Sequence, residues 1–498
     1  MKTVVKSLTG RIALIALFAL ALGLVCLISP ASAQRLKDQM ITWSSFNSVR
    51  SIAASISHIY FATSNGITRY DKMANQWELP LTGADGLDGT NIERIWATRF
   101  DDHVYAQTLG GYFEYDNFLD RWYPLNNLPE LDTVYTHVEA PTDLIPPTGF
   151  NYFAGGKFSD PSGRTVPIST AIQDNSGDIW IGTWGYGAAK QPAGSLEIQF
   201  LPTGLLQKQI NAMYQDNAML VLGGFYTVGS RNGITLFNSD QFNSDVIEEE
   251  LTLNFPATDV TALAADSLYL YIGTSTGLLV MDRGTRQIVR RISRRHGLPD
   301  DSVSCLTICS DTIIVGTAAG LCMIHHDSVN VVSSRVLGNC RIFTVAPQDN
   351  NLWIATNLGA LRLKRSTGEI AKFEDPNKFT FGRVYDVVFR GNFLWMSTDN
   401  GLLRINLKTA ETEPYPIQLF RNVVRRLAVN DDVAAVTSDR GLTLIFWARS
   451  KPISREFTVQ DGLPSDRINC LAFQGDYLWI GSDAGLTRFW WNNPNRVD

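Results

Sequence analysis

Apolar and polar residues alternate along this chain in runs of four to six, and the runs come in sets. "YLWIGS" (Tyr477 to Ser482) is closed by a polar turn and followed by "LTRF"; nearly the same phrase begins at Ile179, Leu352 and Leu394. Alternation with period two, carried by Trp, Ile, Tyr and Val, predicts strands, and the Gly and Asp residues between runs mark turns. Aligned on the glycine of a T-x-x-G turn, the copies fall at Gly66, Gly111, Gly187, Gly233, Gly277, Gly320, Gly359, Gly401, Gly441 and Gly485. The recurring glycine has a physical cause, because a tight hairpin turn often needs a residue at φ > 0, which Gly adopts without steric cost.

Each copy has one grammar: a first alternating run, a polar turn, a second run, the glycine turn, a third run and a more variable fourth such as "REFTVQD" (Arg455 to Asp461). Except for a gap of 76 between Gly111 and Gly187, the copies are 39 to 46 residues apart. Four short strands at this period predict the blades of a β-propeller. Helical solenoids share the period, but they need amphipathic stretches of ten or more residues, and the repeats contain none. The fold class expected is all-β, a propeller of about ten four-stranded blades in one ring; the alternative is a division into two smaller propellers. The last copy ends soon after its third strand. "MITWSSF" (Met40 to Phe46) is an isolated strand ahead of the first full unit and is expected to pair with the last blade, leaving no sheet edge open.

Residues 1–33 carry Lys2, Lys6 and Arg11 ahead of an apolar run and end in an Ala-x-Ala site, which predicts a signal peptide cleaved after Ala33, with repeats over 34–498. Val25 ahead of Cys26 argues against lipid attachment. No later stretch reaches the roughly 20 apolar residues of a membrane helix, so the expectation is an exported, periplasmic or extracellular protein. Loss of three basic residues takes the net charge from −6 to −9, which speaks against nucleic-acid binding. Five cysteines remain, Cys305, Cys309, Cys322, Cys340 and Cys470, in apolar alternating runs that predict buried thiols in place of zinc ligands.

The copies "DIWIGTWGYG", "LWIATNLGALRL" and "LWIGSDAGLTRF", with the linkers "HGLPDDSV" (His296 to Val303) and "DGLPSDRI" (Asp461 to Ile468), resemble the two-component regulator propeller repeat from about residue 40 onward. That resemblance implies an exported propeller that binds something, as in the periplasmic sensor domains of hybrid two-component systems. The chain ends at Asp498 without a kinase motif, a membrane helix or an immunoglobulin-like module, so direct signalling is not the expectation.

Chemistry is sparse. Six histidines, no H-E-x-x-H, no G-x-S-x-G and no phosphate-binding loop predict no cofactor, no metal and no catalytic site. His325-His326-Asp327 reads as a solvated loop, and "QDNSGDIW" (Gln173 to Trp180) as a hairpin turn whose short polar side chains bond the backbone. In "RRISRRHG" strand alternation would put Arg290 and Arg294 on one face and Arg291 and Arg295 on the other, as on an outer edge strand. An enzyme reading, a propeller lyase or hydrolase, would have to use Asp300, Asp301 and Asp461, which stand where turn residues are expected.

The long gap is the informative feature. An insertion at about 128–167, rich in Pro, Gly and aromatics, enters the blade whose second-to-third turn is "TWGYG", and the next blade has an elongated turn, "GGFYTVGSRNG". Loops on a rigid scaffold are where binding tends to sit. Trp184, Tyr186, Phe225, Tyr226 and Arg231 are therefore the expected ligand contacts, for an envelope protein, peptide or glycan partner; the competing expectation is that they only pack the insertion onto the ring.

Overall fold

The computed structural model describes residues 40–493 apart from 88–90, 101, 132–134, 136, 228–229, 249–254, 327, 339, 375–381, 417–422 and 450–451. The expected signal peptide and Asp327 lie outside the described residues. Within them the chain forms ten antiparallel sheets in the predicted grammar. We number the blades in chain order: 1 (49–77), 2 (92–125), 3 (151–201), 4 (210–248), 5 (260–292), 6 (303–331), 7 (342–372), 8 (384–416), 9 (427–457) and 10 (468–490).

The T-x-x-G turn explains itself at atomic scale. The Thr63 hydroxyl donates to the Gly66 carbonyl at 2.8 Å and accepts the Asn65 N–H at 3.1 Å, and the same pair of bonds recurs from Thr274, Thr317, Thr356, Thr398 and Ser482. In the last copy Gly485 lies at φ +137, and a Cβ there would sit 2.2 Å from the Trp43 carbonyl oxygen. Only glycine fits this turn.

Blade 10 lacks a fourth strand of its own. Met40–Trp43 supplies it, antiparallel to Gly485–Trp490, with Thr42 opposite Thr487 and their hydroxyls 2.9 Å apart. The expected closure by the N-terminal strand is therefore present, but the ten blades form neither the single ring nor two propellers: they divide into one closed ring and an open arc. Blade 4 packs against blade 5 on one side and blade 10 on the other, so blades 4 to 10 close a seven-bladed ring.

Six of the seven first strands in this ring carry a β-bulge near their start. Beside the bulges runs a belt of hydrogen bonds joining each blade to the next. Tyr214 Oη donates to Ala265 O, Thr261 Oγ1 to Val303 O and Ser304 Oγ to Ile342 O. Val387 N donates to Thr344 Oγ1, Leu427 N to Asp386 Oδ2, Arg426 Nε to Asn469 O, and Asn469 Nδ2 to Ile210 O. Every neighbouring pair of blades in the ring has one such bond.

Blades 1 to 3 form a separate arc with blade 1 in the middle. One face of blade 1 (Tyr60, Ala62, Ile67) packs on blade 2 (Ile95, Phe113, Trp122), and the other (Ile52, Phe61, Tyr70) on blade 3 (Ile172, Trp180). The insertion explains why the series stops there. Its hairpin, Asn151–Phe153 and Lys157–Ser159, extends blade 3 to six strands, and Leu144, Phe150, Tyr152 and Phe158 cover the face a following blade would need.

Arc and ring are joined by two adjacent chain crossings, 44–48 and 202–209. Phe46 is buried between them against Gly66, Gly187 and Gly204. Asn47 Nδ2 donates to Leu206 O at 3.0 Å, and its carbonyl accepts the N–H groups of Gly185 and Gly187. Truncating a fully buried Phe costs about 3–5 kcal/mol. Phe46→Ala is accordingly expected to lower unfolding free energy by that amount in urea titrations, whereas an effect below about 1 kcal/mol would mean that the crossing does not hold the arc.

Candidate functional site

The junction between arc and ring is a cleft of about 640 Å³, lined on the arc side by Asp160, Arg164, Trp184 and Tyr186, on the ring side by Gln207, Lys208, Phe225 and Arg231, and at its base by Ser45 and Asn47. Four of the five residues expected as ligand contacts line it. Tyr226 does not: its backbone N–H donates to Asp259 Oδ1 at 2.8 Å and its half-buried ring lies outside the lining.

The four have different surroundings. Trp184 and Phe225 are 52% and 50% exposed. Tyr186 instead packs against Phe150 and Phe200, and its hydroxyl donates to Asp160 Oδ2 at 3.3 Å. The Arg231 guanidinium lies 4.2 Å over the Tyr186 ring and forms a two-pronged pair with Glu248, Nε to Oε2 at 2.7 Å. Burial works against the Arg231 charge, but Glu248 more than offsets it and the pKa is raised; burial also raises the Tyr186 pKa. Arg164 continues the network, giving Nε to Asp160 Oδ2 at 2.7 Å and Nη1 to Ser230 O at 2.8 Å. Tyr186 and Arg231 thus tie arc to ring, and Trp184 and Phe225 stand free on opposite walls.

Phe225 also lines a second cavity of about 370 Å³ at the mouth of the ring's channel. The bulges position it: the extra residue in the first strands of blades 4, 5, 6, 7, 8 and 10 is Asn211, Thr261, Ser304, Phe343, Tyr385 and Asn469, and all six line the mouth. A bulge re-aims one side chain out of the alternation, here toward the axis. Blade 9 contributes Arg425 and Arg426 just before its short first strand, Leu427–Val429. The sequence reading did not single these residues out.

Below the mouth, Cys305, Cys470, Asp386 and Arg426 line the channel. Burial pushes both thiols up to about 12; the five cysteines are unpaired, Cys322 and Cys340 being fully buried as expected and Cys305, Cys309 and Cys470 only partly so. Burial raises the Asp386 carboxyl to about 6 against the pull of Arg426 and the Leu427 N–H. The protonated form is thus favoured in the folded state, so this group's contribution is full below the unfolded value of 3.8 and is lost as pH rises through about 6. Stability of Asp386→Asn relative to wild type is expected to improve steadily from pH 4 to 7 in thermal melts. A difference independent of pH would contradict that assignment.

The remaining candidates resolve into structural roles. Asp300 Oδ1 accepts Ser302 N, Asp301 Oδ1 accepts Arg294 N, and Asp461 Oδ2 accepts Thr458 N, so the three acids are turn residues in two separate linkers. Asp174 Oδ1 accepts the N–H groups of Ser176 and Asp178, and its Oδ2 accepts Trp180 Nε1, which is the turn expected for "QDNSGDIW". The arginine run departs from simple alternation: Ile288–Ile292 is the outer strand of blade 5, but Arg294–His296 is a 3-10 turn, so Arg290 and Arg294 do not share a strand face. The His325 ring lies 4.3 Å from that of His326, tilted by 51°, and its Nδ1 lies 3.2 Å from Asp311 O. Among the described residues one group has ligand-like spacing for a metal, His58, Asp71 and Glu78. Arg69 Nε lies 3.1 Å from Glu78, and Asp71 accepts the turn N–H groups of Met73 and Ala74, so these oxygens are already engaged.

No family model and no curated protein matches the chain. Solved structures do. PorZ, a surface component of the type-IX secretion system of Porphyromonas gingivalis, superimposes with a TM-score of 0.63 at 13% identity, over 91% of this chain and 87% of that one. The extracellular domain of a putative hybrid two-component system from B. thetaiotaomicron matches with a TM-score of 0.48 at 16% identity, over 91% and 71% of the two chains. Virginiamycin B lyase from Staphylococcus aureus matches with 0.45 at 15% identity, over 56% and 94%. No helix among the described residues is long and apolar enough to cross a membrane. The fold is the multi-bladed propeller that the repeats predicted.

Proposed function

We propose that this protein is an exported, non-catalytic binding module whose ligand or partner enters the cleft between arc and ring. The observation that carries this reading is the pair of half-exposed aromatics, Trp184 and Phe225, facing a cavity of about 640 Å³ whose walls are held by the Tyr186–Arg231–Glu248 network. An apolar ring left in water on a rigid wall costs hydration that a bound partner recovers. The cavity volume lies within the usual range for ligand sites. The fold likeness to PorZ, a surface component of a secretion system, supports an envelope setting and a protein, peptide or glycan partner.

The division of labour within the cleft follows from the surroundings of each side chain. Trp184 and Phe225 contact the ligand, and Tyr186 and Arg231 fix the spacing between the walls. Lys208, exposed at the rim, adds a positive charge there. The lyase or hydrolase alternative loses its candidates, because Asp300, Asp301 and Asp461 are spent on turns.

Glycan and peptide arrays probed with the mature protein test the reading. Trp184→Ala with Phe225→Ala is expected to weaken the captured ligand at least tenfold, about 1.4 kcal/mol, with an unchanged melting curve, and Tyr226→Ala to leave binding intact. Equal capture by the double variant would remove the cleft from the account.

A further inference from the structure

We propose that the mouth of the seven-bladed ring is a second binding site, specific for an oxyanion group, a carboxylate or a phosphate, on a ligand whose apolar part lies against Phe225 and Phe343. The argument starts from composition. The chain carries a net charge of −6, yet the lining of this cavity contains Arg341, Arg425 and Arg426 and no Asp or Glu. Three guanidiniums from blades 7 and 9 therefore converge on one depression in a protein that is acidic elsewhere. Such a concentration of like charge costs free energy by mutual repulsion unless something offsets it.

The carboxylates near the mouth offset only part of it. Arg425 pairs with Asp439, Nε to Oδ1 at 3.2 Å, from outside the lining, and its guanidinium lies 5.6 Å over the Tyr385 ring. Arg426 gives its Nε to Asn469 O at 3.0 Å, and Asp386, which lines the channel below the mouth, forms no ion pair with it within 4 Å among the described residues. Asp399 is engaged by the Tyr385 hydroxyl at 2.7 Å and by the Arg383 N–H. Asp483 accepts from Asn469 Nδ2 at 2.9 Å and lies 4.0 Å from Arg467. Arg341, an exposed residue, uses its backbone N–H on Asn357 Oδ1, and no carboxylate lies within ion-pair distance of its guanidinium among the described residues.

The rest of the lining suits the same ligand. Planar guanidiniums match the geometry of a carboxylate or phosphate. Asn211 adds a hydrogen-bonding amide, and Thr261, Ser304 and Asn469, whose donors are committed to neighbouring groups, complete a polar wall; each is presented by a bulge that takes its side chain out of the strand alternation. Phe225 and Phe343 supply the apolar wall. At about 370 Å³ the cavity accepts a small molecule or the end of a chain. Because Phe225 belongs to both cavities, mouth and cleft adjoin, but this proposal does not depend on the cleft being a binding site.

Isothermal titration of the mature protein with citrate and, separately, with inorganic phosphate at low ionic strength tests it, and the two arms separate a carboxylate from a phosphate preference. Saturable binding of at least one anion is expected, weakened by added sodium chloride because the arginines are solvent-accessible. Arg341→Ala with Arg425→Ala is expected to weaken that binding at least tenfold, while Met73→Ala, an exposed position on blade 1 outside both cavities, leaves it unchanged. Arg341→Glu provides a second variant, at an exposed position, that reverses the charge. The proposal is overturned if neither anion binds saturably, or if binding survives both arginine variants whose melting curves match wild type.

Discussion

Most sheets in this molecule are apolar on both faces, and that constraint governs the architecture. Second strands such as Tyr477–Ser482 and Asn351–Thr356 bury nearly every residue, because each blade is held between two others. A sheet of this kind needs a neighbour on each side. Seven blades satisfy the need by closing a ring, and the N-terminal strand Met40–Trp43 completes the last sheet of that ring. Three blades meet it by forming an arc in which blade 1 is enclosed by its neighbours and the insertion covers the far side of blade 3. The belt of side-chain bonds between first strands then fixes the blade order around the channel.

The two cavities are consequences of this division. A single closed ring has a channel but no cleft beside it; a second body anchored through residues 44–48 and 202–209 creates one. The same chain that closes the ring at Met40–Trp43 runs on through Phe46 and Asn47 to form the base of the cleft. Ring closure and site geometry are coupled through five residues, and the Arg231 guanidinium over the Tyr186 ring and the Arg164–Ser230 bond set the separation of the walls.

Much of this was legible in the sequence. The blade grammar, the Thr-x-x-Gly turns and the closing strand all follow from local physics, since alternation, a hydroxyl-capped turn and a missing fourth strand leave marks within a few dozen residues. The long gap before "TWGYG" pointed to the cleft, and four of the five residues read from it line that cavity. The division into ring and arc was not legible, because which blade face meets which is settled by contacts between residues far apart, as at Asn469 and Ile210. Tyr226 lies outside the cleft lining because neighbours in a loop point in different directions and no period governs them. The channel mouth was missed because a bulge interrupts the alternation by a single residue; the only trace is a polar or aromatic residue such as Asn211, Tyr385 or Asn469 where an apolar one is expected.

The central claim is that blades 4 to 10 close on themselves, and the contact between blade 10 and blade 4 tests it most directly. Gln474 Nε2 donates to Asn217 O at 2.9 Å, joining turns that a ring of ten would hold far apart. With Asn217→Cys and Gln474→Cys introduced together, a short thiol-reactive cross-linker is predicted to join the two peptides in high yield, as read by mass spectrometry. Failure of the two positions to cross-link, although both thiols react with a single-headed reagent, would contradict the seven-bladed ring.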